Sequence, residues 1–373
     1  MHKCRTGSLA IVVTSLLCLG VWAQTCELGV FHWSVSGTVT DRPVDGSVPL
    51  QSATPVSQGV DGAMLESGIE GIRQLPSLNS LLILRNGLLI HEEYFNGHNA
   101  THSYEIASVS KSILSALVGL ALEQGYFESV HQFVSELLPE AFADTTLSKQ
   151  RITIRDLLTM QAGLLWEPVA PLDLVSMQHV VSDVVALPIT SGTGSRFQYS
   201  TGLPHLASAA IAEATGFPTC AFAWEHLFEP LGIAPEVWGR DADGVYTGGW
   251  YMYFTPRELA RFGQLYLQGG IWEGEQILPA SWVRSSLSTQ VTFDDFSGYG
   301  YWWWLSSYWD PTTYVTYEIQ SARGGGGQMI WLVPALDLVM VTTSDHAYQG
   351  SLDRFHSEQF LHDVLIPASL GKS

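Results

Sequence analysis

Ser108-Val109-Ser110-Lys111 sets a hydroxyl and an amine three residues apart. If Ser108 opens a helix, positions i and i+3 share a face, and the amine comes within reach of the serine oxygen. A serine hydroxyl attacks a carbonyl only after a base takes its proton. A lysine is that base only when burial or a nearby cation has lowered its pKa. A helix N-terminus at the serine also aims backbone N–H groups at a developing oxyanion. The chain has four lysines. Lys111 is the one embedded among apolar residues at helical spacing, with Ile113, Leu114, Leu117, Val118, Leu120 and Ala121 around it. A helix apolar nearly all round is a buried helix, so Lys111 is read as buried rather than as a surface residue. A second pair at the same spacing, Ser369 and Lys372, stands in the tail with no helix after it and is assigned to chance.

Two further stretches carry chemistry. In Phe197-Gln198-Tyr199-Ser200-Thr201, Tyr199 is a candidate proton carrier, either as a phenolate or as a relay to the leaving group. In Ala322-Arg323-Gly324-Gly325-Gly326-Gly327-Gln328, glycines precede a strand, where they let a substrate approach the backbone and an N–H complete an oxyanion hole. The plain alternatives are a packing tyrosine and a flexible loop. No Gly-Lys-Ser/Thr step follows, so this is not a phosphate-binding loop. Asp183 is a candidate for positioning a substrate amine. Tyr301-Trp302-Trp303-Trp304 reads as alternating on a strand, with Trp302 and Trp304 on one face and Trp303 on the other, and one of those faces lining the cleft. His91, His98 and His102 lack metal-ligand spacing, and neither a metal nor another cofactor is expected.

The elements that must position these residues are legible in outline. Asn86-Gly87 between Leu81–Leu84 and Leu88–His91 predicts an opening hairpin. Helical spacing runs from Ser108 to Gly125, from Leu206 to Thr215 and from Pro256 to Leu267. Strands are expected at Tyr299–Leu305, Gln328–Val333 and Leu336–Thr343, with a terminal helix over Phe355–Leu365. The predicted fold class is α/β (α+β). One antiparallel sheet is built from both chain ends and flanked by helices, and a mainly helical lobe is inserted at about 128–290. The site then falls in the cleft between sheet and lobe.

Residues 1–23 read as a signal peptide, with a basic head, an apolar run of roughly 12 residues against the about 20 a membrane span needs, and Val21-Trp22-Ala23 before the expected cleavage. Export to the periplasm or the extracellular space is the expectation. A lead segment (24–60) and a single catalytic domain (61–373) follow. The formal net charge of −19 disfavours nucleic acid and anionic lipid as partners. Of four cysteines, Cys26 and Cys220 remain after cleavage, and a disulfide between them is open. Oligomeric state is not legible.

The order Ser108-x-x-Lys111, Tyr199-x-Thr201 and a glycine-rich strand start resembles the serine β-lactamase and penicillin-binding-protein superfamily, specifically the class C β-lactamase-related hydrolases. Ile152–Leu164, Thr255–Gly263 and Pro279–Val283 are similar to recurrent segments of that family. The Phe-x-Tyr-Ser and Ala-Arg-Gly-x-x-Gly-Gln stretches are most similar to the 6-aminohexanoate-dimer hydrolase branch, which cleaves small amides and esters. The resemblance implies Ser108 as the acylated nucleophile, Lys111 as its base and Tyr199 as proton carrier. It implies an oxyanion hole from the amides of Ser108 and Gly325, with Gly326 as the neighbouring alternative, and a substrate lined by Thr201 and Gly324. Thr201 stands where β-lactamases carry asparagine, and Ala322-Arg323-Gly324 where they carry Lys-Thr-Gly, so the groups that meet a β-lactam are altered. The expected reaction is acyl-enzyme hydrolysis of a small amide or carboxylic ester. The alternatives are D-amino-acid peptidase, penicillin-binding or β-lactamase activity, and a non-catalytic relative that binds cell-wall fragments or a protein.

Overall fold

Asn86 and Gly87 both take left-handed backbone angles (φ 53° and 75°), as a two-residue hairpin turn requires. They join β1 (Leu78–Arg85) to β2 (Leu88–Tyr94). The chain is seen here in a computed structural model that describes residues 49–166, 179–345 and 351–371. The expected signal peptide, Cys26 and most of the lead segment lie outside the described residues. After β2 come β3 (Tyr104–Glu105) and a helical stretch that also holds the short strands β4 (Val237–Trp238), β5 (Met252–Phe254), β6 (Ile271–Trp272) and β7 (Glu275–Gln276). Then follow β8 (Val291–Asp294), β9 (Ser297–Tyr299), β10 (Trp304–Asp310), β11 (Val315–Gly324), β12 (Gln328–Val333) and β13 (Leu338–Ser344).

The main sheet has eight strands in the order β2-β1-β13-β12-β11-β10-β9-β8, so its first and last strands in sequence pair with each other, one strand in from the β2 edge. Ile83 lies opposite Met340, and Met340 opposite Trp331. Alternation decides which way each residue points. Leu82, Leu84, Ile330, Val339 and Val341 enter the core beneath the helical lobe. Leu81, Ile83, Trp331, Leu338 and Met340 enter a second core on the other face. There they pack with α1 (Gly62–Ile72) and the terminal helix. Both faces being covered, these strands read as unbroken apolar runs.

Of the helices, α2 (Val109–Glu123) is buried at every position from Val109 to Ala121. Against it or near it lie α3 (Ile154–Leu158), α4 (Val180–Ala186) and α5 (Gly202–Thr215). A capping box between Thr255 and Glu258 starts α6 (Pro256–Leu267), which lies on β1, β12 and β13. α7 (Ala280–Ser286) packs on α2, and α8 (Ser351–Phe360) continues into wider turns over Leu361–Leu365. Apart from Tyr299–Leu305, the expected strands and helices at both ends are therefore present. The β3-β5-β4 sheet, which ties the lobe to the segment before α2, is not foreseen, its strands being too short to show a period.

One expectation fails. Tyr299–Leu305 is not one strand, because the chain leaves the sheet at Gly300 and returns at Trp304. A side chain at Gly300 would meet the Ser286 carbonyl at 2.0 Å. Trp302 sits there with φ 60°, its indole donating to Leu157 O at 3.0 Å and its own carbonyl accepting from Ser112 Oγ at 2.7 Å. Trp302 and Trp303 are both buried. Alternation does not apply through a turn, so Trp302 is core and does not share a cleft-lining face with Trp304.

Candidate active site

Ser108 caps the N-terminus of α2, as the sequence predicts, and its position depends on the residue before it. Ala107 has φ 48°, a left-handed conformation rare for a residue with a side chain. The sharp turn leaves Ser108 half-buried at the head of an otherwise buried helix. One turn on, Lys111 is 1% exposed, and its Nζ lies 2.7 Å from Ser108 Oγ. Nζ also lies 3.3 Å from Thr201 Oγ1 and donates to the Gly249 carbonyl at 3.0 Å. Burial pushes the Lys111 pKa down to about 7, against a smaller opposing effect from the Glu105 carboxylate. A substantial share of neutral amine is thus present near pH 7, and a neutral amine beside a hydroxyl is a base.

Tyr199 comes from the segment leading into α5. Its ring lies 5.0 Å from Lys111 Nζ, and its phenol faces the Ser108 hydroxyl. Burial raises its pKa to about 12, with the Ser108 contact acting the other way. The phenol is therefore protonated at neutral pH, which favours the relay over the phenolate. Trp304 stacks on it at 5.7 Å, and Phe197, Phe293 and Tyr299 surround Trp304. Phe293 is 42% exposed, so this aromatic group runs from the tyrosine toward solvent.

The end of β11 closes the opposite side. A side chain on Gly324 would meet the Ile106 carbonyl at 2.4 Å, and one on Gly325 would come 4.0 Å from Ala107 Cβ. Glycine lets the strand lie against the turn that carries Ser108. Gly325 is exposed beside that turn, whereas Gly326 is buried with φ 77°.

The structure therefore brings Ser108, Lys111, Tyr199, Thr201, Gly324, Gly325 and Trp304 to one place. It does not bring Asp183, which lies on α4 with its field acting on His179. Arg323 points with Ser321 away from the Ala322 side of β11. Its Nε donates to Ser321 Oγ at 2.7 Å, and its guanidinium lies 5.0 Å from the Trp331 ring. Residues 167–178 lie outside the described residues.

The Beta-lactamase family profile matches residues 66–359. The chain belongs to the beta-lactamase family. Its curated relatives include the 6-aminohexanoate-dimer hydrolase of Paenarthrobacter ureafaciens, 24% identical over 71% of this chain and 72% of that protein. Among known structures, a Bacillus anthracis protein assigned as a 6-aminohexanoate-dimer hydrolase superposes with a TM-score of 0.67 at 19% identity, covering 84% of this chain and 86% of that one. EstCE1, a hydrolase with promiscuous acyltransferase activity, superposes with a TM-score of 0.63 at 16% identity, covering 80% of this chain and 97% of that one. The expected superfamily and branch are thus found, and the chain is a hydrolase of the beta-lactamase fold.

Two participants in this beta-lactamase-family site escape sequence reading. Gly249 supplies the carbonyl that holds Lys111, and a side chain there would meet Nζ at 3.0 Å and Thr201 Cγ2 at 2.9 Å. The Gly248-Gly249 pair was the available signal. Glu105 accepts from the backbone N–H groups of Ala107 and Tyr251, and no motif marks it.

Proposed function

We propose that the protein is an exported serine hydrolase that cleaves small amides or carboxylic esters through an acyl-enzyme. The observation that carries this reading is the 2.7 Å approach of the buried Lys111 amine to Ser108 Oγ, at a lysine pKa of about 7. Neutral Lys111 takes the hydroxyl proton as Ser108 Oγ bonds to the substrate carbonyl carbon. The N–H groups of Ser108 and Gly325 receive the oxyanion. As the tetrahedral species collapses, the bond to the leaving nitrogen or oxygen breaks, and that atom takes a proton from the Tyr199 phenol. The lysine ammonium restores the phenol's proton. Water then attacks the acyl carbon by the same route in reverse order, releasing the acid and Ser108.

The substrate class rests on what the end of β11 offers. Ala322 is buried, and the Arg323 guanidinium is already engaged by Ser321 Oγ, Glu358 and the Trp331 and Trp304 rings, so its charge is taken up within the protein rather than offered to a β-lactam carboxylate. The aromatic group around Trp304 suits an uncharged acyl or amine chain. The similarity to 6-aminohexanoate-dimer hydrolase supports amides among the substrates.

Labelling with a fluorophosphonate, followed by mass analysis of the Ser108 peptide, tests the enzyme. Modification of Ser108 is expected, and a folded protein whose Ser108 stays unmodified overturns the reading. Hydrolysis rates on short nitrophenyl esters, linear amide oligomers and nitrocefin test the substrate class. Nitrocefin turning over fastest overturns it.

A further inference from the structure

Glu105 ends β3, three residues before Ser108, and one of its oxygens serves two turns. Oε1 accepts the Ala107 N–H at 3.0 Å and the Tyr251 N–H at 2.8 Å. Both donors belong to non-glycine residues in the left-handed region, with φ 48° at Ala107 and 57° at Tyr251. Such conformations persist where the surroundings fix them. Ala107 directly precedes Ser108, and its carbonyl accepts from Ser110 Oγ at 2.7 Å, anchoring the first turn of α2. Tyr251 lies two residues after Gly249, whose carbonyl holds Lys111 Nζ. The strand ladder runs alongside, with Glu105 opposite Tyr253 and Ile106 N–H donating to Met252 O at 2.9 Å. The segment that aims the serine and the segment that holds the lysine, about 145 residues apart in sequence, are thus joined at a single carboxylate.

We propose that Glu105 is a positioning residue for the Ser108–Lys111 pair, fixing both turns through the Ala107 and Tyr251 N–H groups and setting the charge environment of the Lys111 amine. The role rests on the serine-hydrolase reading above. The groups facing the amine are Ser108 on its own helix, Tyr199 and Thr201 from the approach to α5, the Gly249 carbonyl, and the Glu105 charge from β3. Glu105 in turn faces Tyr253 of β5. The carboxylate opposes the lowering that burial imposes on Lys111. Removing its charge while keeping its acceptor oxygen therefore lowers the lysine pKa further and moves the acid limb of the reaction to lower pH.

Glu105→Gln keeps an acceptor and removes the charge, whereas Glu105→Ala removes both. Four lysines make the 13Cε-lysine NMR spectrum sparse, and a Lys111→Met variant assigns the Lys111 resonance. In Glu105→Gln, the Lys111 titration midpoint is expected to fall by about half a pH unit or more. The acid limb of the fluorophosphonate reaction should fall by the same amount, with its maximal rate within about threefold of wild type because the turns are still held. In Glu105→Ala, that maximal rate is expected to drop about tenfold or more. An unchanged Lys111 midpoint in folded Glu105→Gln overturns the electrostatic role, and a full rate in folded Glu105→Ala overturns the positioning role. If Glu105→Ala does not fold, the Gln variant decides by its rate and midpoint together. If wild-type Ser108 does not react at all, the hydrolase reading falls, and the NMR midpoint still reports on Glu105.

Discussion

The Lys111 side chain is buried, with its amine ringed by oxygen atoms, and this ties activity and stability to pH in related ways. The amine is the base only when neutral. Activity is therefore expected to rise with pH through about 7 and to level off above it, as a pH profile of kcat/KM will show. In the unfolded chain Lys111 titrates near its ordinary value of 10.5, so between about 7 and 10.5 the unfolded state holds a proton that the folded state lacks. Folding stability contributed by this residue thus rises with pH across that window and is flat beyond it. Lys111→Met removes this dependence. Relative to that variant, the wild-type midpoint of thermal unfolding is expected to climb as pH increases from 7 to 10, measured by calorimetry at several pH values. Ser108→Ala should lower kcat by about a thousandfold or more while leaving the fold unchanged by circular dichroism. Gly249→Ala places a methyl group 3.0 Å from Nζ. It should lower kcat far more than it raises KM, because it moves the base and not the aromatic surface beside the substrate.

The elements divide the labour of holding these groups. α2 carries both the nucleophile and its base, so their i, i+3 contact is local, and four residues were enough to announce it. Tyr199 and Gly325 come from elements far away in sequence, and they became legible through the order of motifs. Glu105 acts through its carboxylate on the Tyr251 N–H, 146 residues away, where no motif marks it, and Gly249 acts through its carbonyl on Lys111, where the Gly248-Gly249 pair is the one local trace. Trp302 was misread for a related reason. Alternation is a property of strands, and Gly300 had already turned the chain out of the sheet. The capping box at the start of α6 joins Thr255 to Glu258, and it makes a quantitative expectation possible. Thr255→Ala removes the Oγ1 acceptor of the Glu258 N–H and a donor to the Glu258 carboxylate. It should destabilise the protein by about 1–2 kcal/mol in a urea titration. Because α6 supports the sheet rather than the catalytic groups, kcat/KM well below the melting temperature is expected to stay at the wild-type value.

At the scale of the whole molecule, one sheet separates two apolar cores, and the catalytic groups sit where the end of β11 meets the helical lobe. The sheet's first and last strands in sequence, β1 and β13, pair with each other. That arrangement has a consequence in time. During synthesis, β1 emerges about 260 residues before β13 exists to receive it. At ribosomal rates the wait is about 10–50 s. Throughout it, the Leu81-Leu82-Ile83-Leu84 run lacks its β13 partner and can meet other chains, as an unpaired strand edge does. A long-range closure of this kind also slows folding. In pulse-labelled hydrogen exchange during refolding from urea, the amides of β1 and β13 are expected to gain protection later than those of α2. Dilute refolding, or a chaperone that binds extended apolar segments, should raise the recovered yield. The enzyme's last-made strand is what completes the scaffold begun by its first.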